Sequence, residues 1–306
     1  TVRNIDSFVA KIRPKTTKQN KKIVEKILSD VQKNGDSAVK KYEKKFGYIM
    51  KDKLVDIIKE AGEILREGYF SKKDVTFKAK KDLVTKYDVA VENFLKQKFE
   101  NEFKDFNVIA EESDNTDLEF SNSIIVDPID GTTNFVNKVP HTCISVGVYK
   151  DKKPYIGIVY NPILDELYTA VVGQGAYLND EKLQVSDENS FQKALLSTGF
   201  PYSGATNQDD LNDVIKKMKD ILPKCQDIRR LGSAAIDLCF VARGTYEGYY
   251  EMNLKAWDVS AGLIILQEAG GKISTIDGSD YTLFEDKYIV ASNGLIHDDL
   301  IKNLNL

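Results

Sequence analysis

Three cysteines, Cys143, Cys225 and Cys239, are too few and too scattered for a disulfide framework, and none forms the paired Cys-x-x-Cys spacing of a zinc site. They read as reduced thiols, so a cytoplasmic location is expected. No run of eighteen apolar residues occurs, which excludes a helical membrane span from the expectations, and the first thirty residues lack the apolar stretch of a secretory signal. Fixed-period repeats and low-complexity tracts are also missing. What remains is a globular chain of 306 residues, long enough for one large domain or two moderate ones, with an ordinary 42% of hydrophobic residues.

The net charge of −4 hides an asymmetry. Residues 1–49 carry 13 Lys and Arg against 5 Asp and Glu, whereas the rest carries 30 against 42. A shift from +8 to −12 argues for a boundary near Met50, separating a basic extension, 1–49, from a main domain, 50–306. The basic segment does not interleave aromatics and glycines as nucleic-acid modules do, so it reads as a solvated helical surface and nucleic acid is disfavoured as a partner.

In that segment Ile23, Ile27 and Val31 recur at helical spacing up to Asn34-Gly35, a stop signal. Asp36 or Ser37 can cap a second helix carrying Val39, Tyr42 and Phe46 on one face, which predicts a short helical hairpin. From Met50, Leu54, Ile57, Ile58, Ala61, Ile64 and Leu65 predict a separate amphipathic helix ending near Gly68, and Val91, Phe94, Leu95 and Phe99 predict another from Asp88 to Phe99. Strand-like runs follow at "FNVIAEES", "SIIVDPID", "CISVGVYK", "YIGIVYNP" and "LYTAVVG", at a spacing that suits a meander of hairpins. After Pro201 helices alternate with short strands. Residues 50–200 therefore read as helices plus antiparallel sheet and 201–306 as an α/β part, an α+β or α/β class overall.

The segment "SIIVDPIDGTTNF", Ser123 to Phe135, carries the most chemistry. Asp127 at the strand end and Asp130 in the following turn can aim carboxylates at one point, and the bend at Pro128 exposes the Ile129 carbonyl. Hard oxygen ligands of this kind suit magnesium. Gly131, Thr132 and Thr133 then open a helix whose free N–H groups and positive dipole end suit a phosphate. Either aspartate alone would be an ordinary Asp-Gly turn.

The whole string resembles the signature of the inositol monophosphatase family, within the lithium-sensitive, metal-dependent phosphatases. Four further blocks agree in order. "IAEES" resembles the family's glutamate motif, with Glu111 a metal ligand and Glu112 a second carboxylate. "KAKKDLVTKYD" resembles the block that places Lys78 near an outer metal site and Asp88 beside the nucleophilic water. "RRLGSAAIDLC" resembles the turn that lays Gly232, Ser233 and Ala234 along the substrate. "YYEMNLKAWDVSAG" resembles the second signature, where Asp258 completes the metal cluster and Glu251 faces substrate hydroxyls. Separately, "IVEKILSDVQKNGDSAVKKYEKKFG" resembles the N-terminal segment of histidinol dehydrogenase, although His141 and His297 fit none of that enzyme's catalytic pattern. Met50 is thus a candidate natural start, and the extension reads as a fusion remnant, a reading-frame artefact or an accessory arm.

The family resemblance implies a layered αβαβα sandwich, commonly a homodimer, and hydrolysis by two or three Mg2+ ions without a covalent enzyme intermediate. Glu111, Asp127, Asp130, Asp258 and the Ile129 carbonyl would hold the metal, and Thr132 bonded to Asp88 would orient the attacking water. Carboxylates so gathered repel by about 4 kcal/mol per pair at about 4 Å and an effective dielectric near 20, which calls for a bound cation. The expected substrate is inositol monophosphate or a similar small polyol phosphate. Histidinol phosphate, fructose 1,6-bisphosphate and 3'(2'),5'-bisphosphate nucleotides are alternatives, as is a non-enzymatic scaffold that uses its basic extension.

Overall fold

The computed structural model describes residues 18–71, 75–79, 82–113, 115, 120–201 and 207–306. The chain divides into two compact units, Thr1–Met50 and Lys51–Leu306. In the first, helix α1 (Lys18–Asn34) ends at Gly35, whose φ of 54° takes the left-handed turn that glycine accepts most readily. Asp30 joins α1 to the next helix by accepting from Lys41 Nζ and Tyr42 Oη, both at 2.9 Å. These bonds, Lys41 foremost, hold its carboxyl at about 2, well below the usual range.

The second helix corrects one expectation. α2 runs unbroken from Asp36 to Phe70, so the outer arm of the expected hairpin and the helix expected to start at Met50 are one element. Gly68 does not terminate it: a Cβ there would come within 2.6 Å of the Tyr87 ring, so the glycine is a notch for close packing. Leu54, Ile58, Ala61 and Leu65 form the buried stripe.

Strands β1 (Val75–Ala79) and β2 (Asp82–Thr85) pair as an antiparallel ribbon ahead of helix α3 (Lys86–Glu102). β3 (Asn107–Ala110) and β4 (Ser123–Asp130) then begin a seven-stranded sheet. That first pair is parallel, which departs from the expected run of hairpins. The antiparallel meander starts only at β4 and continues through β5 (Cys143–Lys150), β6 (Lys153–Asn161), β7 (Glu166–Val171), β8 (Ala176–Leu178) and β9 (Glu181–Lys182). Short helix α4 (Thr132–Asn137) separates β4 from β5.

The later half contributes a five-stranded sheet. β10 (Leu195–Thr198), β11 (Asp227–Arg229), β12 (Gly248–Met252), β13 (Lys272–Ser274) and β14 (Tyr288–Ser292) take the order β11-β10-β12-β14-β13. Helices α6 (Ala234–Ala242) and α7 (Ala256–Glu268) are apolar nearly all round and lie between the sheets, sharing one core with Ile125, Val159, Tyr168, Tyr249 and Ile289. Helices α5 (Gln208–Ile221) and α8 (His297–Leu304) cover the far face, where Val214, Leu300 and Leu304 pack on Tyr250 and Val290. α3 lies against β3 and β4, completing an αβαβα sandwich. The close seating of α7 depends on Gly157, where a Cβ would stand 2.6 Å from the Ala261 carbonyl.

Candidate active site

The end of β4 is built around an extra residue. Asp127 pairs with Ser145 and Asp130 with Cys143, so three steps on β4 match two on β5. Such a bulge bends the strand and re-aims its side chains. Asp127 and Asp130 both emerge from it, buried. Asp127 Oδ1 accepts the Ile129 N–H at 3.0 Å, which holds the bend. Gly131 follows with φ 82°, and a Cβ there would lie 2.9 Å from the His141 carbonyl, so the turn has room for glycine alone.

Asp130, Asp258 and Asp88 are each seated by a helix end. Asp130 Oδ2 accepts from Ser233 Oγ at 2.7 Å and from the Ala235 N–H at 2.8 Å, at the start of α6, where a carboxylate complements the dipole. Asp258 stands in the first turn of α7, and its Oδ2 accepts the Lys255 N–H at 2.6 Å. Asp88 closes a capping box with Thr85 at the start of α3, where its Oδ2 takes the Thr85 N–H at 2.8 Å and the hydroxyl at 2.6 Å. Its other oxygen, Oδ1, accepts from Thr132 Oγ1 at 3.2 Å, and the same hydroxyl lies 3.1 Å from the Ile129 carbonyl.

Glu111 extends the β3 ladder through its N–H to the Val126 carbonyl at 3.2 Å. The neighbouring turn is fastened from below by Glu92, which accepts the Glu112 N–H at 2.7 Å and the Ser113 hydroxyl. Glu92 went unremarked in the sequence, yet it is a buried acid four residues after Asp88 on the helix face that carries Val91 and Leu95. A polar residue on that stripe was the available signal. Asn134 joins distant segments: its Nδ2 donates to the His141 carbonyl and the Leu231 carbonyl, both at 2.7 Å, and so ties the Gly131 turn to the Gly232 turn.

The remaining candidates fall at different depths. Ala234 is buried in the first turn of α6, Gly232 adopts φ 84° and Thr133 is exposed. Ser233, expected along the substrate, gives its hydroxyl to Asp130 and accepts the Ile236 N–H at 3.3 Å, so its side chain supports the carboxylate from behind. Glu251 is buried, and its Oε2 accepts from Tyr249 Oη at 2.6 Å. The side chain of Lys78 lies outside the described residues.

Electrostatics join these acids. Burial raises the Asp127 carboxyl far above the usual range, and the charged groups that raise it further are Glu111, Asp130, Asp258 and Asp88, in that order. Asp258 is likewise raised, by burial first and then by Asp130, with Glu111 and Glu251 adding to it. Among the described residues, however, no three His, Cys, Asp or Glu side chains close on one point as a finished metal site does. Asp127, Asp130 and Asp258 each turn one oxygen to a donor of the protein.

Glu251 gives a signed expectation. Burial pushes its carboxyl up to about 8, against the Tyr249 hydrogen bond and Arg230, with Asp237 and Asp130 pushing the same way as burial. An acid held above its ordinary value stabilises the fold at low pH and loses that contribution as pH rises through the folded value. Denaturation of the metal-free protein should therefore show stability falling between about 4.5 and about 8, and Glu251→Gln should flatten part of that fall. An unchanged slope in the variant would remove Glu251 from the account.

Similar proteins agree with this architecture. A sequence profile of the inositol monophosphatase family matches residues 50–305. Inositol monophosphatase 3 of Solanum lycopersicum is 40% identical over 261 residues, covering 83% of this chain and 96% of its own length. The Nus factor SuhB of Pasteurella multocida is 36% identical over 252 residues, covering 80% and 91%. Among solved structures, inositol monophosphatase from Anabaena (Nostoc) sp. superposes with a TM-score of 0.74 at 33% identity, over 84% of this chain and 96% of that one. With a family profile spanning most of its length and relatives matched nearly end to end, the chain belongs to the inositol monophosphatase family, a family of metal-dependent phosphoric monoester hydrolases.

Proposed function

We propose that this chain is a magnesium-dependent phosphomonoesterase acting on inositol monophosphate or a similar small polyol phosphate. The observation that carries this reading is the set of buried carboxylates, Asp127, Asp130 and Asp258, in which Asp130 and Asp258 both act on Asp127, after Glu111, and Asp130 acts on Asp258. Such a set is strained until a cation joins it, and its oxygen donors fit a hard divalent ion. Glu111, Asp127, Asp130, Asp258 and the Ile129 carbonyl would hold it, with two or three ions as the family resemblance implies. When bound, magnesium supplies a water of lowered pKa and positive charge opposite the leaving oxygen.

The chain's own groups then do the positioning. The Thr132 hydroxyl, bonded to Asp88, accepts from the attacking water and fixes its line to phosphorus. Backbone N–H groups at Gly131, Thr132 and Thr133 receive phosphate oxygens, and Glu112 adds a second carboxylate beside Glu111. Water adds to phosphorus, the ester P–O bond breaks, and the alcohol and inorganic phosphate leave without a bond to the protein.

Glu251 favours a polyol over the ammonium of histidinol phosphate. In the metal-free protein this carboxyl, raised to about 8, is largely protonated near neutrality and can both donate to and accept from hydroxyls, whereas it offers an ammonium less charge. The three buried free thiols accord with a reducing, cytoplasmic setting. A homodimer is carried over from the resemblance, and light scattering reads it directly.

A panel of inositol 1-phosphate, histidinol phosphate, fructose 1,6-bisphosphate and adenosine 3',5'-bisphosphate tests the reading. Phosphate should be released fastest from inositol 1-phosphate, with activity removed by a chelator and restored by magnesium. Turnover unchanged by chelation would reject the metal, and faster release from another ester would reassign the substrate.

A further inference from the structure

Glu251 owes its place in the site to a side chain that is missing elsewhere. Gly199 directly follows strand β10, which runs parallel to β12 with Thr198 opposite Tyr250. The next residue along is therefore brought beside Glu251. A Cβ built on Gly199 would lie 1.9 Å from Glu251 Cδ, 1.9 Å from Oε1 and 2.0 Å from Oε2. Contacts between unbonded heavy atoms need about 3.5 Å, so the carboxyl group occupies the volume that any side chain at 199 would claim. Nor can the carboxyl step aside freely, because it is buried and bonded to Tyr249 Oη at 2.6 Å.

A second glycine repeats the arrangement with a basic side chain. Arg230 Nη1 lies 2.6 Å from where a Cβ of Gly232 would stand, and its guanidinium lies over the Phe200 ring at 4.9 Å. Two glycines thus each leave room for an ionisable side chain, and the ring of Phe200, adjacent to the first, lies under the second. Glu251 and Arg230 act on each other electrostatically. The carboxyl position is defined by the absence at 199 and by the Tyr249 bond.

We infer that Gly199 is a specificity-determining position: its empty side-chain space sets where the Glu251 carboxyl meets a substrate hydroxyl, and hence the preference for polyol phosphates over esters that carry no hydroxyl. The inference rests on the reading that Glu251 faces the substrate. Gly199 acts through Glu251 and is a positioning residue.

The test is a cycle of four full-length proteins, wild type, Gly199→Ala, Glu251→Ala and the double variant, each assayed on inositol 1-phosphate and on p-nitrophenyl phosphate. Gly199→Ala should lower kcat/KM for inositol 1-phosphate about 30-fold, mostly through KM, and cut it at least about tenfold more than for the aryl ester, since a misplaced partner leaves substrate hydroxyls unpaired. In the Glu251→Ala background the same methyl meets no carboxyl, so the double variant should match Glu251→Ala within about twofold. Equal losses on both esters, or penalties that multiply in the double variant, would overturn the inference. If Gly199→Ala fails to fold, the double variant still decides: stability and kinetics like those of Glu251→Ala support the slot, and a second misfolded protein refutes it. A wild type inactive on both esters would overturn the phosphatase reading together with this one, whereas an active wild type with multiplying penalties overturns this one alone.

Discussion

Asp127→Asn should reduce magnesium-dependent release of phosphate from inositol 1-phosphate by about a thousandfold, or about 4 kcal/mol of transition-state stabilisation, while leaving the fold intact. Asparagine keeps a carbonyl oxygen in the place of Oδ1, so the bond from the Ile129 N–H that holds the bulge survives. What disappears is the negative charge at the centre of the cluster, the one on which Glu111, Asp130, Asp258 and Asp88 all act.

The same change should move stability the opposite way. Without metal, a buried carboxylate among other carboxylates opposes folding, so the chelated variant should melt higher than the chelated wild type, by about 2–4 °C for each kcal/mol of repulsion removed. With magnesium the order should reverse, because only the wild type gains binding energy on folding. Two melting scans and one activity assay read all of this. A variant that keeps its turnover, or that melts lower in chelator, would show that Asp127 does not sit at the heart of a cation site.

How much of this was legible beforehand depends on distance along the chain. The β4 motif shows its acids, its glycine and its threonines within nine residues, so the turn could be read locally. The bulge that aims Asp127 and Asp130 could not, because it exists only relative to Ser145 and Cys143 on another strand. The parallel start of the first sheet was hidden for the same reason: β3 and β4 each read as a strand, and their relative direction is set by packing. The long α2 was misjudged because a shift in charge at Met50 marks a boundary between units without interrupting backbone hydrogen bonds. Family resemblance named Glu251 and Ser233 but gave neither the Gly199 space that admits the first nor the Asp130 bond that occupies the second.

Asp88 and Thr132 offer the other large effect, and it should be one effect shared by two residues. Thr132 has a single hydroxyl hydrogen, placed between Asp88 Oδ1 at 3.2 Å and the Ile129 carbonyl at 3.1 Å. While Asp88 is ionised it accepts that hydrogen, which leaves the hydroxyl oxygen's lone pairs for a water. Asp88→Asn presents an amide N–H instead, which can reverse the bond and occupy the lone pair that the water needs. Thr132→Val removes the hydroxyl with little change of shape. Each variant should lower kcat on inositol 1-phosphate by about a hundredfold with little change in KM, since the lost contact orients the attacking water and does not hold the substrate. Combined, they should cost little more than either alone, because both break the same Asp88–Thr132–water chain. A double variant slowed by about ten-thousandfold would mean two independent contributions, and a rise in KM would make Thr132 a binding contact.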